Sequence, residues 1–230
     1  MARVKSWFPE APVRTDRRSI VALLGAAFFS VSAPVLPAAA TTALDGYLEG
    51  LKSWSAAFTQ TVVDARGKQV NTGRGRLLVV RPGRFRWESA PQGAGEAAQL
   101  LVADGRNLWF YDRDLDQVTV KPQAEALPQS PAMLLAGGSE LRSSFKVSAA
   151  GRRDGLDWVL AQPLDSASDF REARFGFART ELQRLVVVDK LGQQSTLVFS
   201  GVKRNAPVDA ALVTFAPPAD ADLIGKPLKP

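Results

Sequence analysis

The chain has 230 residues, of which 46% are hydrophobic, and a formal net charge of +6 at pH 7. At roughly 100–200 residues per domain, this length corresponds to one domain or two small ones. The sequence contains no cysteine and no histidine. Their absence excludes disulfides, a cysteine nucleophile, a Cys or His metal site and a Ser-His-Asp triad.

Residues 1–40 have the composition of a secretory signal peptide. The Arg17-Arg18 pair precedes an apolar run, Ile20–Val31, and the segment ends in the small residues Ala38-Ala39-Ala40. A basic start, a short apolar stretch and an A-x-A site form the signal-peptide pattern, and the apolar run is too short for a typical membrane span. We therefore expect cleavage near Ala40 and one exported domain over residues 41–230. That domain holds 24 basic and 21 acidic residues, so little of the charge excess remains.

The exported domain begins with a predicted helix. Apolar residues at positions 44, 47, 48, 51 and 54 follow helical spacing, which predicts an amphipathic helix over Leu44–Trp54 with Thr41 or Thr42 as N-cap. A second, short helix is predicted around Pro131–Leu135, between Ser130 and Gly137-Gly138.

The rest of the domain reads as short strands separated by turn residues. The predicted strands are Phe58–Val63, Arg76–Val80, Arg84–Ser89, Gln99–Ala103, Asn107–Tyr111, Val118–Lys121, Phe145–Ala149, Trp158–Ala161, Glu172–Phe177, Leu185–Asp189, Ser195–Val202 and Leu212–Phe215. Short strands at this spacing predict an antiparallel sandwich or barrel. Several strands, such as Leu77–Val80 and Leu185–Val188, are apolar on both faces. They fit either a well-packed core or an apolar cavity with a helix over the other face.

The sequence shows no complete motif for binding a metal or nucleic acid or for catalysis. The sequence Asp112-x-Asp114-x-Asp116 lacks the later glycine and glutamate of a calcium loop. A basic run around Phe85 and Trp87 would suit single-stranded nucleic acid, but export removes that partner. The acidic residues are scattered over turns and show no pair for hydrolysis. We therefore expect no enzyme, no metal, no cofactor and no nucleic-acid partner.

A set of short motifs resembles the LolA family of periplasmic lipoprotein carriers. The motifs are Phe58-Thr59-Gln60, Arg81-Pro82-x-x-Phe85-x-Trp87, Leu101–Gly105, Leu108–Tyr111, Ser130–Leu135, Val208–Ala210 and Thr214–Pro218. Together they cover nearly all of residues 41–220. The resemblance implies a mainly β protein with some α structure, an incomplete, unclosed antiparallel β-barrel with an N-terminal helix and a short internal lid helix.

The resemblance also implies a function. It implies a monomeric carrier in the periplasm that takes lipoproteins, by their acyl chains, from an inner-membrane ATP-driven exporter to an outer-membrane receptor of similar fold. That receptor is itself a lipoprotein with a lipidated cysteine, so a chain without cysteine matches the carrier.

Candidate site residues follow from the strand pattern and the resemblance. We predict a lipid-contacting set made of Val79, Phe85, Trp87, Leu101, Met133 and Leu135. Phe85 is expected at the rim or wall of the site because its strand follows the turn at Pro82-Gly83. Arg81 shares strand parity with Leu77 and Val79, and a charge beside an apolar row needs a partner. The resemblance implies that Arg81 clasps the lid through carbonyls at the end of the Pro131–Leu135 helix.

Two other functions need the same cavity. One is a periplasmic barrel that binds a lipid or lipopeptide and senses or scaffolds without shuttling. The other is a carrier of glycolipid or another apolar molecule.

Overall fold

The computed structural model of the chain describes residues 41–91, 93, 97–126, 135–137, 141–166, 168 and 170–229. The predicted signal peptide and Met133 lie outside the described residues. Among the described residues, no helix is long and apolar enough to cross a bilayer.

The N-terminal helix, α1, spans Ala43–Leu48 and begins with a capping box. The Asp45 carboxylate accepts from the Thr42 amide at 2.7 Å, and the Thr42 hydroxyl accepts from the Asp45 amide at 3.4 Å. This reciprocal pairing satisfies two amides that the first helical turn leaves without partners. The predicted extension of the helix to Trp54 is wrong. Gly50 adopts a φ of +64°, and Trp54 already lies in the first strand.

Among the residues that the structure describes, twelve strands form one sheet. They are β1 (Ser53–Val63), β2 (Gln69–Val80), β3 (Arg84–Pro91), β4 (Gln99–Ala103), β5 (Asn107–Asp112), β6 (Gln117–Pro122), β7 (Phe145–Arg153), β8 (Leu156–Pro163), β9 (Phe170–Ala178), β10 (Glu181–Asp189), β11 (Gln194–Arg204) and β12 (Asp222–Ile224). Two more helices are described, α2 (Gln123–Ala126) and α3 (Leu141–Ser144), together with a 3₁₀ helix, Ala210–Val213.

The sheet is a single unclosed one, as expected. Its strand order is β12-β6-β5-β4-β3-β2-β1-β11-β10-β9-β8-β7, so β12 and β7 are its two edges. Neighbouring strands are antiparallel except β12 and β6, which are parallel. The predicted fold class, an incomplete antiparallel barrel with an N-terminal helix, is confirmed. The internal helix is described only at Leu135 and Ala136, and both residues are fully buried.

The predicted strand Leu212–Phe215 is wrong. Residues Ala210–Val213 form the 3₁₀ helix, in which the Asp209 carboxylate accepts from the Ala211 amide at 2.9 Å. This local cap gives the backbone an alternative to strand pairing. The last strand instead lies at Asp222–Ile224.

Strands that are apolar on both faces contribute to three separate clusters, of which the smallest contains Leu156, Trp158 and Val186. On the concave face, α1 packs with inward residues of most strands in one core, which includes Leu77, Val79, Leu185 and Leu197. On the convex face, a second cluster is built from residues of β4 to β6 and is covered by Phe215 and Ala221. The sequence analysis expected a helix to cover the face of the sheet opposite the cavity. Over β4 to β6, the C-terminal segment covers that face instead.

Candidate functional site

The site is built from rows of side chains that cross the concave face of the sheet. Strand register aligns Trp54, Val79, Phe85, Ala103 and Leu108 in one row from β1 to β5. The first four are fully buried, and Leu108 is partly buried. We call this row the deep row.

The adjacent row is more open. It contains Ala56, Leu77, Trp87, Leu101 and Phe110 in the same strand order. Its exposure rises along the row: Leu77 is buried, Trp87 and Leu101 are partly buried, and Phe110 is 37% exposed. We call this row the open row. It leaves apolar surface on β3 to β5 accessible on the concave side.

Beyond the open row the concave face becomes polar. Ser89 pairs with Gln99, and Gln99 pairs with Asp112. The Gln99 amide also donates to the Asp112 carboxylate at 3.5 Å. From the deep row through the open row to the third row, the side chains change from buried and apolar, to accessible and apolar, to polar. This arrangement suits a ligand with a long apolar part and a polar end.

The predicted lipid-contacting residues divide between these rows. Trp87 and Leu101 lie in the open row, and the Trp87 ring packs against Phe58 with ring centroids 4.9 Å apart. Val79 and Phe85 lie in the deep row, and Leu135 is buried in the same core. Whether any of them contacts a lipid stays a prediction.

The expected position of Phe85 at a rim is wrong, because its side chain is fully buried. The turn before it is not an open edge. The Gly83 amide donates to the Ala136 carbonyl at 2.7 Å, so the internal helical segment lies directly against this turn. Among the described residues of the concave rows, the exposed aromatic is Phe110, which the sequence analysis did not select. Phe110 lies two residues after Leu108, so the sequence already indicated that both side chains lie on the same face of β5.

Arg81 holds α1. Its Nη1 donates to the Leu48 carbonyl at 2.7 Å, and its backbone amide donates to the Lys52 carbonyl at 2.8 Å. Leu48 is the last residue of α1, so this carbonyl belongs to the set that a helix leaves unpaired. Burial lowers the pKa of Arg81 from its ordinary value. Of the predicted clasp helix, Pro131–Leu135, only Leu135 lies among the described residues, and a bond from Arg81 to this helix stays a prediction. The described bond goes to the N-terminal helix.

Two further arginines reach α1 from distant elements. Arg204 of β11 donates to the Tyr47 carbonyl at 2.7 Å and places its guanidinium 4.3 Å from the centre of the Tyr47 ring. Arg142 of α3 pairs with Asp45 at 2.6 Å. Positive charge at a helix C-terminus interacts favourably with the unpaired carbonyls and the helix dipole. The sequence gave no indication of these contacts, because the partners are 97 and 157 residues apart.

The described residues offer little else for chemistry. No group of three or more acidic side chains among them is placed to hold a metal ion. The carboxylates between β5 and β6 serve the turn itself, since Asp112 accepts from the Asp114 amide at 3.1 Å.

Comparison with known proteins identifies the family. The family model described as "Outer membrane lipoprotein carrier protein LolA" matches residues 49–216. The chain belongs to the LolA family. An outer-membrane lipoprotein carrier protein from Chromobacterium violaceum is 40% identical over 202 residues, covering 88% of this chain and 95% of the relative. Another, from Dechloromonas aromatica, is 34% identical over 204 residues, covering 89% and 96%.

Among solved structures, a LolA superfamily protein from Nitrosomonas europaea is similar. It has a TM-score of 0.44 and 14% sequence identity, and the match covers 76% of this chain and 99% of that one.

Proposed function

We propose that the mature chain is a periplasmic, non-enzymatic carrier that encloses the acyl chains of lipoproteins on its concave face. It takes them from an inner-membrane ATP-driven exporter and delivers them to an outer-membrane receptor of similar fold. The carrier works as a monomer. Family membership supports the carrier role, and the open row supports its position on the molecule.

The observation that carries the proposal is the graded exposure from Leu77 to Phe110. Each methylene that leaves water is worth roughly 0.8 kcal/mol, so an acyl chain in water strongly favours an apolar surface. The open row supplies that surface without requiring the deep row to unfold. The polar row beyond it, with Gln99 and Asp112, suits the polar end of the lipid.

Release needs a weaker hold on the cargo, and the sequence contains no P-loop through which ATP could drive it. Contacts that hold α1 over the core compete with any opening that deeper acyl insertion requires. The Arg81 and Arg204 bonds to α1 therefore lower the net affinity for cargo, and this makes transfer to a receptor possible.

The test uses two matched substitutions on opposite faces. Phe110 of β5 is 37% exposed on the concave face, and Val198 of β11 is 42% exposed on the convex face. We expect Phe110→Glu to reduce release of lipoprotein from inner-membrane vesicles about tenfold or more, because a carboxylate replaces apolar contact with the lipid. Val198→Glu leaves release unchanged.

A second step of the assay distinguishes a carrier from a sensor. Lipoprotein released into solution is mixed with vesicles that carry the receptor, and its transfer to those vesicles is measured. Soluble release followed by transfer supports the carrier. Binding without transfer identifies the non-shuttling barrel, and equal effects of the two substitutions remove the concave face from the proposal.

A further inference from the structure

A groove crosses the convex face of the sheet, on the side away from the open row. Its floor is made by the outward side chains of β1, which are all small: Ser53, Ser55, Ala57 and Thr59. Two adjoining cavities of 860 and 550 Å³ share this floor. Small side chains flanked by longer ones leave a channel about one extended chain wide. We call it the convex groove.

One wall of the convex groove is basic. Arg74 and Arg76 of β2 and Arg86 of β3 line it, and Lys203 of β11 lies on the opposite side. Glu88 is the one acidic residue that lines it among the described residues, and its carboxylate accepts from Arg86 at 2.8 Å. The groove therefore carries a net positive charge.

The end of the convex groove is apolar. The C-terminal segment that follows β11 passes over it and contributes Pro207, Val208 and Leu212. The segment is held by a 2.7 Å bond from the Ser53 hydroxyl to the Ala206 carbonyl. Leu212 is 49% exposed, and Leu78 lines the same cavity.

The side chains that give the groove its charge point to the face of the sheet opposite the concave site. Side chains alternate across a strand, so Arg76 faces the groove while Leu77 faces the core. The backbone of β1 is already paired with β2 and β11 on its two sides. A ligand in the groove is therefore recognised by side chains and not by strand addition.

We infer that the convex groove docks an extended acidic segment of a partner protein. Basic walls match its carboxylates, and Leu78 and Leu212 match one or two apolar side chains among them. Ser53 is buried beneath the C-terminal segment, so the open floor runs from Ser55 to Thr59. It spans four residue steps, and at about 3.3 Å per residue it accommodates about four extended residues. The inference is independent of the acyl-chain proposal, because it concerns the other face of the sheet.

The experiment measures fluorescence anisotropy of a labelled peptide of about ten residues that contains glutamates and two leucines. The wild-type chain is compared with the double variant Arg76→Gln, Lys203→Gln. Each exposed ion pair contributes only a few-fold, so the double variant is expected to bind roughly tenfold more weakly. A higher salt concentration is also expected to weaken binding of the acidic peptide to the wild-type chain.

The matched control removes the same charges elsewhere. Arg152→Gln with Lys146→Gln takes one arginine and one lysine from the edge strand β7, and we expect unchanged binding. A peptide with lysine in place of glutamate should not bind. Thermal melting checks that both double variants are folded.

Three results would overturn the inference. They are no saturable binding of the acidic peptide, an equal loss of peptide affinity in the two double variants, or binding of the lysine peptide. A fourth would reassign the groove. If vesicles of phosphatidylglycerol bind in place of the peptide, and the groove variant abolishes that binding, the surface recognises a membrane and not a protein segment.

Discussion

Phe85 and Trp87 lie two residues apart on β3 and face the same side of the sheet, yet their surroundings differ. Phe85 is fully buried in the deep row, beneath the turn that binds Ala136. Trp87 is only partly buried and packs on Phe58 at the start of the accessible surface. One strand therefore carries an aromatic that holds the core and, next to it, one that a ligand can reach.

Burial makes Phe85 sensitive to charge. We expect Phe85→Glu to lower the free energy of unfolding by about 3–5 kcal/mol, because it places an unpaired carboxylate in the core. Urea denaturation measures the change. Phe85→Leu is the control for lost side-chain volume alone, and it should lower the free energy of unfolding much less. If Phe85→Glu melts like the wild type, Phe85 is accessible in solution and its side chain belongs to the wall of the site.

Sequence parity predicted which residues share the concave face, but not how deep each one lies. Alternation along β3 puts Phe85 and Trp87 on the concave face and Arg86 and Glu88 on the convex face, where these two pair with each other. Depth depends on α1 and the helical segment at Leu135, which approach from distant parts of the chain. A pattern within one strand holds no information about them.

At the scale of elements, α1 depends on its neighbours. A helix of six residues is unstable alone, because helix nucleation is costly. Its apolar residues Leu44, Tyr47 and Leu48 are buried in the core, and arginines from β11, α3 and the turn after β2 bond to it. The position of α1 is therefore set by contacts that can break one by one.

Arg81 offers a test of this arrangement. A charge-assisted hydrogen bond contributes roughly 1.5–3 kcal/mol, enough to shift an open–closed equilibrium by one to two powers of ten. We expect Arg81→Leu to load lipoprotein but to transfer it poorly, because the open, loaded state becomes too stable. The two-step vesicle assay measures both stages. Normal transfer, or a defect in loading alone, would contradict a clasp role.

Asp45 makes the attachment of α1 dependent on pH. Desolvation raises its pKa, but hydrogen bonds from Thr42 and from Arg142 together with the Arg142 charge outweigh it, so the pKa lies below its ordinary value. A depressed carboxyl pKa adds stability that is present above the unfolded value, about 3.9, and is lost as the pH falls through the folded value.

We therefore expect the difference in unfolding free energy between the wild type and Asp45→Asn to be constant near neutral pH. It should shrink as the pH drops below about 4. Urea denaturation at a series of pH values measures it. A difference that stays the same down to the lowest pH at which both proteins fold would show that the ionised carboxylate contributes nothing. Asp114→Asn, in the exposed turn after β5, serves as the control.

The strands between turn residues were predicted well, because apolar runs bounded by glycine, proline and aspartate determine pairing locally. Gln99–Ala103 matches β4 at both ends. The predictions failed at the two chain ends. There, apolar residues are spaced in ways that fit more than one element. Gly50, with a φ of +64°, separates α1 from β1, and the cap at Asp209 begins a 3₁₀ helix where a strand was predicted.

At the scale of the whole molecule, the sheet separates the two larger apolar clusters, which have different roles. The concave core includes the deep row and faces the proposed lipid site. The convex cluster is closed by the C-terminal segment, in which Phe215 packs on Trp109 and Tyr111 with ring centroids 5.6 and 6.0 Å away. Stability and ligand binding should therefore be separable by substitution.

Phe215 and Phe175 provide the comparison. Phe215 is partly buried on the convex side, so Phe215→Ala should cost about 2 kcal/mol, less than the 3–5 kcal/mol of a fully buried phenylalanine. Since its cluster lies across the sheet from the open row, lipoprotein release by the folded protein should not change. Phe175 is fully buried in the concave core, so Phe175→Ala should lower the free energy of unfolding by about 3–5 kcal/mol and also impair release. Denaturant unfolding and the vesicle assay together measure both effects. If Phe215→Ala impairs release at a temperature where it is fully folded, the two faces are coupled, and the C-terminal segment takes part in carrying cargo.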